Sequence, residues 1–105
     1  MKNRIEQLKN FIEEEPGNPF LIYALALEHV KANPAQAKVS FDKLLNNHPS
    51  YLPTYYHAAQ FFLDIDQRSR AGQIYEAGIA LALKTEDQQT LKELQNAYNN
   101  FLMDD

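Results

Sequence analysis

Apolar side chains recur every three or four positions along most of the chain, and clusters of Asn, Asp, Pro and Gly divide it into segments of about 12 to 17 residues. The first stripe is Ile5, Leu8, Phe11 and Ile12. It predicts a helix from Lys2 to Glu15, stopped by Pro16-Gly17. Asn18 before Pro19 then reads as an N-cap followed by a proline at the first helical position, opening a second helix with Phe20, Leu21, Leu25, Leu27 and Val30. That helix should stop near Ala32, because Asn33-Pro34 repeats the same start signal. The third helix is expected to bury Ala37, Phe41, Leu44 and Leu45, and to break at Asn46-Asn47-His48-Pro49.

The second half reads the same way. Ser50 is the expected cap of a fourth helix carrying Tyr51, Tyr55, Tyr56, Ala59, Phe62 and Leu63, with Pro53 tolerated in its first turn. This aromatic stretch could pass for a strand, but Ala58-Ala59-Gln60 interrupts any alternation of period two. Asp66 is the expected cap of a fifth helix with Ala71, Ile74, Tyr75, Ile79 and Leu83 on its inner face. Gly72 and Gly78 each cost that helix about 1 kcal/mol relative to Ala, so Gly78 is expected to serve a close helix contact. Thr85-x-x-Gln88 matches a capping box ahead of a sixth helix with Leu91, Leu94, Tyr98, Phe101 and Leu102. The chain is predicted to be all-α.

Superimposed on this pattern is a repeat. Ala37-x3-Phe41 returns 34 residues later as Ala71-x3-Tyr75, and Pro19 returns at the same interval as Pro53. A small residue four before an aromatic, recurring at this period, is the mark of stacked helix–turn–helix units. In detail the chain resembles the tetratricopeptide repeat family. With one residue missing from the first inter-helix turn, one unit supplies Ile22, Leu25-Ala26, His29, Ala37, Phe41 and Pro49. The next supplies Tyr55, Ala58-Ala59, Phe62, Ala71 and Tyr75. Departures are Ala for the family's Gly in both units, His29 for Tyr, and Leu83 where a proline would end the second unit, which suggests a longer fifth helix.

The resemblance implies a single α-solenoid domain over 1–105: a half-repeat helix at 1–16, repeats at 18–50 and 51–84, and a capping helix at 85–103. Ala26, Ala37, Ala59 and Ala71 are expected where helices approach closely, since larger side chains would overpack. Stacking buries the open face of each repeat against its neighbour.

It also implies function. First helices of such repeats line a concave groove, which here assigns Tyr23, Leu27 and Val30 from the second helix and Tyr56, Gln60 and Leu63 from the fourth. Amphipathic tyrosines with aliphatic neighbours suit an extended or helical segment of a partner protein. The alternative is that these rings pack on the sixth helix. The Lys and Asn clamp that holds a terminal carboxylate in some members is replaced by Tyr23, Ala24 and Leu27, so chaperone C-termini are not the expected ligand. The expectation is a non-catalytic protein-binding scaffold, with a self-associating homodimer as the alternative.

Charge and composition narrow this further. Ten basic against fourteen acidic residues leave a net charge of −4 with no basic stripe, which argues against nucleic acid. Glu13-Glu14-Glu15 and Asp104-Asp105 read as solvated acidic runs, with a basic peptide partner the minority reading. No window reaches about 18 consecutive apolar residues, so no membrane span is expected. The charged N-terminus lacks a signal-peptide core and the chain has no Cys, which points to the cytoplasm. His29 falls at a packed position and His48 in a turn, while His57 stands nearly two helical turns from Asp64, too far to pair. Asp64 and Asp66 lie where capping explains them, and no metal-ligand or phosphate-loop spacing occurs. Neither an enzyme nor a cofactor is expected.

Overall fold

In the computed structural model, which describes residues 3–104, the backbone forms α1 (Arg4–Glu14), α2 (Pro19–Ala32), α3 (Pro34–Asn47), α4 (Thr54–Asp64), α5 (Arg68–Lys84) and α6 (Gln88–Met103). These six helices are the only regular elements among the described residues. Lys2, where the first helix was expected to begin, and Asp105 of the terminal acidic run lie outside the described residues. The chain divides into two compact units, Met1–Tyr51 and Leu52–Asp105.

In the first unit α2 packs on both α1 and α3. Asparagine side chains start all three helices. Asn3 Oδ1 accepts from the Glu6 N–H at 2.8 Å, Asn18 Oδ1 from Phe20 at 3.0 Å, and Asn33 Oδ1 from Gln36 at 3.3 Å. Each satisfies a backbone donor that the first turn of a helix leaves without a partner. Asn33 also closes α2, its own N–H donating to the His29 carbonyl at 2.8 Å.

Leu8, Leu21 and Leu25 form the α1–α2 core with Ile5, Ile12 and Ala24 packed around it. Phe11 and Phe20, expected on the apolar stripes, are instead 49% and 53% exposed. The reason for Phe11 is geometric. Since a helix turns about 100° per residue, Ile5 and Ile12 lie to one side of Leu8 and Phe11 to the other, and among the described residues of the unit α1 packs on α2 alone. Leu45 is half-buried rather than buried, and Ser40 takes a buried place on α3 beside Ala37, Phe41 and Leu44.

The second unit packs α5 on α4 and α6, with α4 and α6 also in contact. Its helix ends differ from the sequence expectation at three points. Ser50 does not cap α4: the Tyr51 N–H donates to the His48 carbonyl in a turn, and Pro53 holds the cap position ahead of Thr54. Asp66 does not cap α5. It adopts φ 64° and completes a Schellman closure of α4, in which Gln67 N–H donates to Phe62 O at 2.8 Å and Asp66 N–H to Leu63 O at 3.1 Å.

The same closure recurs at the end of α5. Glu86 adopts φ 57°, Asp87 N–H donates to Ala82 O at 3.0 Å, and Glu86 N–H donates to Leu83 O at 3.3 Å. The capping box expected of Thr85 and Gln88 is therefore not formed. The Thr85 hydroxyl donates back to Leu81 O at 2.9 Å, while Asp87 Oδ1 accepts from Thr90 N–H at 3.0 Å and opens α6.

Helix α5 has 17 residues against 14 in α3, the extension expected of a chain without a proline at Leu83. Leu83 and Leu102, expected on inner faces, are 57% and 54% exposed. Ala26, Ala37, Ala59 and Ala71 are wholly buried, as close helix approach requires. Gly78 shows how tight that approach is: a Cβ there would stand 2.6 Å from Tyr55 Cβ.

Candidate binding surface

Helix α4 carries two opposite characters on one turn. Tyr55, Ala58, Ala59 and Phe62 go into the core, while Tyr56 stays 40% exposed and Gln60 faces outward with it. The spacing explains this, since Tyr56, Gln60 and Leu63 at i, i+4 and i+7 share one helical face. Together they line a recess of about 220 Å³ with Tyr75 of α5, Ala97, Asn100 and Phe101 of α6, and Asp104 just past the end of α6.

Thus three of the six residues assigned from the sequence converge on one cavity. Leu63 is half-buried within it, and the Gln60 side-chain N–H donates to Asp64 Oδ1 at 3.3 Å. The other three, Tyr23, Leu27 and Val30, share a half-buried face of α2 in the first unit. Tyr23 meets the edge of Tyr51 there, with ring centroids 5.8 Å apart at 65°. Burial, with a smaller contribution from Tyr51, raises the Tyr23 phenol above its ordinary pKa.

The C-terminal wall of the recess was not among the binding residues expected from the sequence, where Phe101 was placed on an apolar helix face and Asp104 in a solvated acidic run. Its signal was present nonetheless: Ala97, Asn100, Phe101 and Asp104 fall at i, i+3, i+4 and i+7. This small, polar and aromatic stripe runs beside the stronger apolar one of Leu94 and Phe101.

Below the recess the rings form a connected layer. Tyr75 lies 5.6 Å from Phe101 and 5.9 Å from Tyr98, and Tyr98 stacks on Phe101 at 5.9 Å. Tyr75 is almost fully buried, so its phenol is raised by desolvation first and by Tyr56 and Asp64 after it. On the other side of α6, Arg68 Nη2 donates to the Phe101 carbonyl at 2.6 Å, and its guanidinium sits 4.2 Å from the Phe101 ring centroid. Tyr98 donates its hydroxyl to Glu76 Oε2 at 2.6 Å, and that bond is the main reason its pKa is raised.

The histidines occupy structural surroundings. His29 is 4% exposed, and its Nδ1 has no hydrogen-bond partner among the described residues. Desolvation and then Lys9 lower its pKa, favouring the neutral ring in a packed position. His57 sits edge-on to Tyr56 with centroids 5.3 Å apart, and desolvation lowers its pKa too. Among the described residues no group of three or more His, Asp or Glu side chains could hold a metal ion. No described helix is long and apolar enough to cross a membrane.

No protein-family model matches the chain, and no curated protein matches it. Solved structures do. A solution structure of a tetratricopeptide repeat domain protein from Salinibacter ruber is 34% identical, covers 86% of this chain and 92% of its own, and superposes with a TM-score of 0.80. A crystal structure of a tetratricopeptide repeat domain protein from the same organism is 36% identical over 80% of this chain and 96% of its own, with a TM-score of 0.75. A solution structure of a protein from Bordetella parapertussis shares the fold at 24% identity, covering 100% of this chain and 92% of its own with a TM-score of 0.83.

Proposed function

The chain belongs to the tetratricopeptide repeat family, and on that premise we propose that it is a non-catalytic scaffold that binds a segment of a partner protein on the outward face of α4. The observation that carries this reading is Tyr56. A large aromatic left 40% exposed, at the mouth of a recess and on a helix whose other face is fully buried, has the character of an interface anchor. Gln60 and Asn100 offer amide donors and acceptors beside it, and Leu63 adds apolar surface.

Tyr23, Leu27 and Val30 of α2 are the corresponding contacts in the first unit, and Tyr23 meets Tyr51 there through ring packing. A cytoplasmic location accords with a chain that has no cysteine. Partners captured by affinity purification and identified by mass spectrometry supply the test. The Tyr56→Ala variant should retain about tenfold less of them, the loss of one moderate anchor, while melting within a few degrees of the parent. Equal retention, or a collapse of the fold, would overturn the assignment. Persistent dimers in light scattering across a concentration series would replace it with self-association.

A further inference from the structure

We propose that the recess between α4 and the last turns of α6 receives a cationic side chain, arginine above all, from the bound protein segment; this rests on reading the α4 face as the binding surface. Charge decides the sign of the ligand. Among the described residues lining the recess, Asp104 carries the only formal charge, and no Lys or Arg stands with it. Gln60 brings a second carboxylate near the rim, because its amide is held on Asp64. An anion entering here would meet no countercharge, whereas a guanidinium would meet a carboxylate and the amide oxygens of Gln60 and Asn100 as acceptors.

The walls fit the same ligand. Tyr56, Tyr75 and Phe101 all line the cavity, and aromatic faces attract cations through their quadrupole. The unit already uses this contact internally. Arg68 lies 4.2 Å from the Phe101 ring in the neighbouring cleft, and Arg70 lies 4.0 Å from the Phe62 ring. Phe101 lines both that cleft and the recess, but the cleft holds Arg68 already engaged with the Phe101 carbonyl and also contains Glu76. Its charge is thus matched from within. The described residues lining the recess include a carboxylate but no basic side chain, and a planar guanidinium with five donors would supply one.

Two capped tripeptides, acetyl-Ala-Arg-Ala-amide and its citrulline counterpart, separate charge from shape, since citrulline keeps the planar head group and loses the positive charge. Titrated into the isotopically labelled chain, the arginine peptide should shift the side-chain amide signals of Gln60 and Asn100. The citrulline peptide should bind about tenfold more weakly, as the loss of one partly desolvated cation–π and ionic contact implies. Asp104→Asn, at an exposed position beyond the helix, should narrow that ratio without changing the fold.

Equal affinity for the two peptides would overturn the cation site while leaving the α4 face a binding surface. No shift with either peptide would also overturn it, and the wider reading would then be judged by the Tyr56→Ala capture alone.

Discussion

The two units solve the same problem, three antiparallel helices with little length to spare, by different means. The first fixes its helix ends with side chains: Asn3, Asn18 and Asn33 each cap a start, and Pro19 and Pro34 stand at the first helical positions. The second fixes two of its ends with backbone closures through left-handed residues, Asp66 and Glu86, and among the described residues α4 and α5 have no side-chain cap. The cores differ in kind as well. Aliphatic residues hold α1 to α2, whereas Tyr55, Tyr75 and Phe101 with Gly72 and Gly78 make the close packing of the second unit. Local chemistry specifies the first unit and shape specifies the second, so substitutions should strike them differently.

Shape should fail hardest. Gly78→Ala places a methyl group 2.6 Å from Tyr55 Cβ and 3.2 Å from Leu94 Cδ1, and the nearer atom is too close to the backbone to swing away. Overpacking of this kind costs about 1–3 kcal/mol, against a gain of roughly 1 kcal/mol in helix propensity, so the thermal midpoint should fall. Gly17→Ala in the first unit is the control. No described atom lies within 4 Å of its added Cβ, and it should be neutral or slightly stabilising. Comparable losses at both glycines would erase the distinction between the units.

Local chemistry should fail next. Asn33→Ala removes a cap from the residue that both ends α2 and begins α3, and the loss should be about 1 kcal/mol, or roughly 4–8 °C in the melting midpoint. Ser50→Ala should leave the midpoint unchanged, because α4 starts four residues later. A measurable loss at Ser50 would mean that it caps α4 after all.

These contrasts also explain which parts of the molecule could be read from its sequence. Asn18-Pro19 and Asn33-Pro34 were legible because cap and proline act within two or three residues of themselves. Ser50, Asp66 and Thr85 misled because the same residue types can close one helix or open the next, and the bonds that decide are made by neighbours. The Gln67 N–H reaching back to Phe62 settles the role of Asp66. At the candidate site, the α4 face followed from spacing alone. Its α6 wall did not, since Tyr98 and Leu102 beside Leu94 suggested an equally good apolar face. Arg68 meeting the Phe101 carbonyl across 33 residues left no periodic trace to read.

The smallest effect is also the sharpest on the left-handed closures. An L-residue held in that conformation is strained by about 1–2 kcal/mol, less for Asp, whose short side chain tolerates it. Glycine removes the strain but gives back roughly 0.5–1 kcal/mol through the greater freedom of the unfolded chain. Asp66→Gly should therefore raise stability only slightly, and Glu86→Gly by about 0.5–1 kcal/mol, since Glu lacks that tolerance. Glu15→Gly in the first unit should give no such gain, because Glu15 closes α1 at φ −133°, outside the left-handed region. Denaturant midpoints of the three variants test the ordering. A gain at Glu15 matching that at Glu86 would show that strain at the left-handed residue is not the source, and that the two units end their helices at equal cost.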